Sequence, residues 1–187
     1  KCGQDMNAMA HELRDRLGAM GSEQAQAFHD ILHVYEGLAD RYGLWDAANI
    51  MMEWCSDDGF IDFRAWLIAQ GKEVYLSALK DPDTLADIEP YGNCCFESLS
   101  YVGDDAYRQL TGQNAYENAD PAARKKWKAI LGADIVYRED IRFPRPRRAL
   151  PAAYPRLCAK YGGAERFDTD DIGWNIGSKD VRSLLER

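Results

Sequence analysis

From Met6 to Leu131 apolar residues recur at helical spacing, and glycine or an Asp-Pro pair interrupts the pattern at intervals of roughly ten to twenty residues. This punctuation constrains the fold more than any other feature. Phe28, Ile31, Leu32, Tyr35 and Leu38 form one stripe, with Ser22 expected as its N-cap and Gly43 as its end. Leu44, Ala47, Ala48, Met51 and Cys55 form a second. Ser56 and Asp57 stop that helix and cap the next, whose face is Phe60, Phe63, Trp66, Leu67 and Gln70 before Gly71. Val74, Tyr75, Ala78 and Leu79 continue as a short helix. Asp81-Pro82 and Asp120-Pro121 are start signals, a capping carboxylate followed by a proline whose missing N–H costs nothing in the first turn.

The flanks are less regular. Met6–Leu17 reads as a polar helix closed near Gly18, and residues 93–101 and 104–110 as two short helices split at Gly103. Trp127, Ile130 and Leu131 are expected to face inward. Ile135 and Val136 are too few for a strand. Pro144, Pro146 and Pro151 mark an irregular connector, followed by a helix over about 152–161, a polar glycine-rich stretch over 162–177 and a final turn capped by Ser178. Strand alternation is almost absent. The expected fold is therefore all-α, an irregular multi-helix bundle with a partly irregular C-terminal third. The division is a helical domain over 1–141 and a proline/arginine connector with a helical appendage over 142–187, packed on the same domain. With 187 residues, 46% of them hydrophobic, the chain can bury a core without disulfides or metals.

Composition narrows the function classes. No apolar run is long enough to span a bilayer, and Lys1–Asp5 lacks the apolar stretch of a signal peptide. The chain opens without Met, which leaves a removed targeting segment open. Cys2, Cys55, Cys94, Cys95 and Cys158 match no disulfide or zinc framework, which suggests a reducing cytosol. The net charge of −8 is unevenly spread. Residues 1–123 hold 8 basic and 22 acidic side chains, residues 124–148 hold 9 and 3, and residues 149–187 hold 6 of each. An acidic body argues against nucleic acid as a partner, because phosphate contacts need clustered positive charge.

One stretch carries a family signature. Leu44-Trp45-Asp46-Ala47-Ala48, Cys55-Ser56-Asp57-Asp58-Gly59-Phe60, and Phe63-Arg64-Ala65-Trp66-Leu67-Ile68 with Gly71 resemble the uncharacterised bacterial domain-of-unknown-function family 4240. Tyr75, Ala78, Leu79 and Asp81-Pro82-Asp83-Thr84-Leu85 extend the resemblance, whose specific part covers roughly residues 22–90. Two departures stand out: Glu53-Trp54 replaces the small residues frequent before the cysteine, and the aromatic-rich opening helix of members is missing. The resemblance implies a helical bacterial protein and no activity.

Four candidate sites stand beside plainer structural readings. Asp57, Asp58 and Asp62, with Arg64 and Gln70, could bind a ligand or a hard cation; equally, acids in a first turn complement the helix dipole. His29 and His33 stand four apart and could share a metal, but no third ligand is visible, and histidines bordering an apolar stripe are the plainer reading. Cys55 or the Cys94-Cys95 pair could supply a nucleophile, against a reading as buried inert thiols. Arg142, Arg145, Arg147 and Arg148, helped by Lys125, Lys126 and Lys128, could grip phosphate or an acidic partner, or dock on the protein's own acidic body. Trp45, Trp54, Trp66 and Trp127 are expected in the core and Trp174 exposed. The acids of residues 168–171 lack the spacing of a calcium loop.

No metal and no cofactor is expected. The leading expectation is a non-enzymatic cytosolic interaction protein, immunity-type or regulatory, with a basic protein partner. The alternatives are a ligand-binding protein or enzyme using the Ser56–Asp58/Arg64 region, and phosphate or nucleic-acid contact through residues 124–148.

Overall fold

The computed structural model describes residues 5–139, 141, 143–162 and 164–171, and the expectations for Cys2, Arg142, Trp174 and Ser178 lie outside them. The fold is all-α, and no strand occurs among the described residues. Helices α1 (Met6–Met20), α2 (Ser22–Leu38), α3 (Tyr42–Met51), α4 (Asp57–Ala69) and α5 (Lys72–Lys80) follow at short turns. A 3₁₀ segment (Pro82–Asp87) leads to α6 (Glu97–Thr111) and α7 (Pro121–Gly132). The short α8 (Leu150–Ala153) and α9 (Pro155–Tyr161) complete the set.

One core runs through most of the helices, and α3 and α4 supply its largest aromatic part. Leu44, Ala47, Ala48 and Ile50 of α3 face Phe60, Phe63, Trp66 and Leu67 of α4, all buried. Trp45 stacks on Phe60 at 4.9 Å between centroids, Phe60 lies 6.3 Å from Phe63, and Phe63 lies 5.5 Å from Trp66. This aromatic column removes large apolar area from water and holds both helices in register. The turn between them is fixed by polar side chains. Trp45 Nε1 donates to the Cys55 carbonyl (2.9 Å), and Asn49 Oδ1 accepts from the Cys55 N–H (2.9 Å). Ser56 Oγ then accepts from the Gly59 N–H at 3.0 Å, the expected N-cap of α4.

Several local expectations shift. Helix α1 runs through Gly18 and ends at Gly21, whose φ of 106° suits a residue without Cβ. Ser22 is the first helical residue and makes no side-chain cap. Helix α2 stops at Leu38, and Gly43 sits inside α3, where its carbonyl lies 3.1 Å from the Tyr154 hydroxyl. Gly103 does not break a helix but lies inside continuous α6. A Cβ there would fall 2.8–2.9 Å from His29 Cβ, Cα and N, so the missing side chain lets α6 press onto α2. Asp81 and Asp120 cap as expected, although the first opens a 3₁₀ segment. Pro155 divides the expected last helix into α8 and α9. Trp54 lies outside the helices and is 48% exposed, and α7 has no buried residue, with Ile130 50% exposed.

The segment after α7 is fastened by polar bonds. Asp83 accepts from the N–H groups of Arg156 (3.1 Å) and Leu157 (2.9 Å), a side-chain cap supplied to α9 from a distant part of the chain. Arg166 Nη2 donates to the Asn49 (3.1 Å) and Ile50 (2.6 Å) carbonyls at the end of α3. Asp87 pairs with Arg156. No described helix is long and apolar enough to cross a membrane.

Candidate functional site

The acidic residues of α4 come together with a partner that the spacing did not reveal. Asp57 and Asp58 are exposed in the first turn and Asp62 is half-buried one turn on. The Phe96 N–H donates to the Asp62 carbonyl (3.0 Å), which brings the start of α6 against α4 and Glu97 into the field of Asp62. Partial burial, then Glu97, Asp58 and Glu36, push the Asp62 carboxyl up to about 6. Ile61 on the same outer face as Asp57 and Asp58, and Tyr101 one turn after Glu97, are both exposed. The result is an anionic face with apolar edges.

Arg64 and Gln70 do not join it. Arg64 turns toward the end of α2: Nη1 donates to the Glu36 carbonyl (3.1 Å) and lies 3.4 Å from Asp40, while the guanidinium covers the Phe60 ring at 4.9 Å. Gln70 Nε2 donates to the Trp66 carbonyl of its own helix (2.9 Å).

The described arginines of the connector bond to this chain. Arg145 meets Asp46 twice, through its backbone N–H (2.9 Å) and through Nη1 (2.9 Å), and Tyr154 Oη lies 3.1 Å from the same carboxylate. Asp46 is 1% exposed, and burial pushes its carboxyl up to about 6 against the opposing pull of Arg145. Arg147 Nη2 donates to the Glu53 carbonyl (2.7 Å), and Arg148 pairs with Asp170 (2.7 Å) at the surface. Sequence reasoning saw Asp46 only as part of the family signature. Its signal was a carboxylate set among Trp45, Ala47 and Ala48, where a lone charge would be costly without a partner.

A third cluster was largely missed. His29 is fully buried, and its Nε2 lies 3.1 Å from His33 Nε2. His33 Nδ1 lies 2.6 Å from Glu36 Oε2, and Glu36 Oε1 accepts from Ser100 Oγ (2.7 Å). Asp30 accepts from Arg124 Nε (2.9 Å) and from Gln26 Nε2 (3.3 Å). The histidines were noticed, but Gln26, Asp30 and Glu36 complete one polar face of α2, legible as polar residues at three- and four-residue steps. Among the described residues no group of three or more His, Cys, Asp or Glu side chains is arranged to hold a metal ion.

Burial drives the Cys55 thiol up to about 12 and the Cys94 and Cys158 thiols up to about 11, away from the thiolate that nucleophilic chemistry needs. A cavity of about 320 Å³ lies between α2, the α4–α5 turn and α7, with Tyr35, Ile68, Leu76 and Ile130 in its wall.

The family model described as "Protein of unknown function (DUF4240)" matches residues 1–109. No curated protein and no solved structure matches the chain.

Proposed function

The chain belongs to the DUF4240 family, and we propose that it is a non-enzymatic interaction protein of the bacterial cytosol, immunity-type or regulatory, whose partner is basic. The observation that carries this reading is the acidic α4–α6 face, where partial burial and then the charges of Glu97, Asp58 and Glu36 raise the Asp62 carboxyl to about 6, with Asp57 exposed beside them. Carboxylates held together at a cost to their own ionisation gain most from an incoming cation. Ile61 and Tyr101 add apolar contact beside the charge, the combination that anchors an interface. The net charge of −8 would steer a basic partner inward, and the described connector arginines are already engaged within the chain. That engagement weighs against phosphate or nucleic-acid contact through the connector arginines, while Lys125, Lys126 and Lys128 lie exposed on α7. The turn of Arg64 toward α2 weighs against a ligand pocket at Ser56–Asp58.

The test is co-purification of the full chain from its native host at low salt. A basic protein should accompany it and leave at high salt. The triple substitution Asp57→Asn, Asp58→Asn, Glu97→Gln should abolish that association. A control that removes the same charge elsewhere, Glu12→Gln, Asp15→Asn, Asp105→Asn, should keep it. Retention by the first variant, or loss from both, contradicts this surface.

A further inference from the structure

The polar face of α2 has a direction. His33 Nδ1 lies 2.6 Å from Glu36, a carboxylate that also accepts from Ser100, so the proton of His33 sits on Nδ1 and its Nε2 is an acceptor. The facing His29 Nε2, 3.1 Å away, is then the donor. A neutral His29 with its proton on Nε2 leaves Nδ1 bare. That bare nitrogen lies 3.4 Å from Asp30 Oδ1, longer than a good hydrogen bond. The same oxygen receives Arg124 Nε at 2.9 Å. One carboxylate oxygen therefore stands between an occupied cation and an empty proton site.

Arg124 belongs to α7, which buries no residue. The stretch after α7 is fastened by the Tyr137 hydroxyl on the Leu38 carbonyl (3.1 Å), the Arg138 N–H on the Leu79 carbonyl (3.2 Å), Arg41 over the Tyr137 ring (4.5 Å), the Arg138–Asp81 and Lys72–Asp134 pairs, and Ile135 and Tyr137 against the core. Within α7 itself no residue is buried, and the Asp30–Arg124 bond is the side-chain bond that ties the helix to α2, so the helix can loosen while the stretch after it stays fastened.

We propose that α2 carries a proton-operated latch for α7: a proton taken up at His29 Nδ1 draws Asp30 off Arg124 and lets α7 lift from the domain. The new imidazolium and the guanidinium then compete for one oxygen and repel each other. Lifting α7 removes one wall of the 320 Å³ cavity and exposes Tyr35, Ile68 and Leu76. The groups around the pair act as follows. On α2 itself, Asp30 favours the charged form and His33, held by Glu36, opposes it. Arg124 from α7 opposes it as well. Tyr116, from the loop before α7, packs edge-on at 4.4 Å between centroids. Asp104 of α6 holds the Ala115 N–H (2.7 Å) of that loop. Arg64 of α4 reaches the Glu36 carbonyl.

Burial, and then His33, hold the His29 pKa below its ordinary 6.5. A histidine with a depressed folded value contributes stability that is fully present above the ordinary value. That contribution is lost as pH falls through the folded one, so the latch opens on the acid side of 6.5.

The test is amide hydrogen exchange over residues 121–132 of the full chain, corrected for intrinsic rates, at about pH 7.5 and about pH 5.5. In the wild type, α7 protection should fall by about tenfold or more on acidification while α3 and α4 hold. In His29→Gln the α7 protection should no longer follow pH. In Arg124→Gln, a substitution at a half-exposed position that spares the core, α7 should be unprotected at both values. PH-independent α7 protection in the wild type, a persistent fall in His29→Gln, or full protection at about pH 7.5 in Arg124→Gln each overturns the latch. The last decides the question alone where His29→Gln does not fold.

Discussion

Helices α3 and α7 start from unequal local signals and meet fates opposite to those signals. Helix α3 buries eight consecutive residues, Leu44 to Met51, including Asp46 and Asn49. Helix α7 has a better start, with Asp120 capping at 2.8 Å and Pro121 in its first turn, yet buries none. A cap and a stripe determine that a helix forms; whether it is buried depends on what stands opposite. Helix α3 faces the aromatic column of α4, whereas α7 faces the polar side of α2 and is held by Arg124. The two regions thus rest on different forces, one on apolar area and one on few polar bonds.

That contrast is open to direct attack. The largest expected effect separates two tryptophans. Trp66→Ala, at a fully buried position in the column, should cost about 3–5 kcal/mol, whereas Trp127→Ala on α7 should cost under about 1 kcal/mol in urea unfolding. Equal losses would mean that α7 belongs to the core after all. Asp46→Ala should come next, at about 2–3 kcal/mol, because it strips the acceptor from the Arg145 N–H, its guanidinium and Tyr154. The pH dependence has a definite sign. A carboxyl raised to about 6 in the fold, from an ordinary 3.8, gains stability as pH falls between those values. The penalty of Asp46→Ala should therefore widen from about pH 7 toward pH 4, and a narrowing penalty would contradict the buried geometry. Gly103→Ala should cost less than Trp66→Ala or Asp46→Ala, about 1–2 kcal/mol, the crowding against His29 being partly offset by better helix propensity. A stabilised Gly103→Ala would show that α6 does not need the close approach.

The same contrast explains what the sequence revealed. The all-α class, the Ser56 cap, the α4 face and the Asp-Pro starts follow from side chains acting within one turn, and such effects are legible locally. Gly43, Gly103 and Pro155 were misread because a glycine or proline signals only that the backbone is special. Gly103 is a notch for His29, a reason carried by another helix. Trp54 and Trp127 look like core residues by type and are not, since burial is set by neighbours distant in sequence. The candidate site was half legible. The carboxylates of α4 were visible, but Glu97 joins them only through the packing of α6, and Arg64 leaves them for the end of α2.

The account rests most heavily on carboxylates that crowd one another on the α4–α6 face. Carbon-13 titration of the Asp62 side chain in the full chain measures this without a partner in hand. The expected result is a midpoint near 6 that falls part of the way toward the ordinary carboxylate value when Glu97→Gln removes the charge that raises it most, burial holding the rest. A midpoint near 3.8, unmoved by Glu97→Gln, would mean that the face carries no such strain and would remove the ground for a basic partner there.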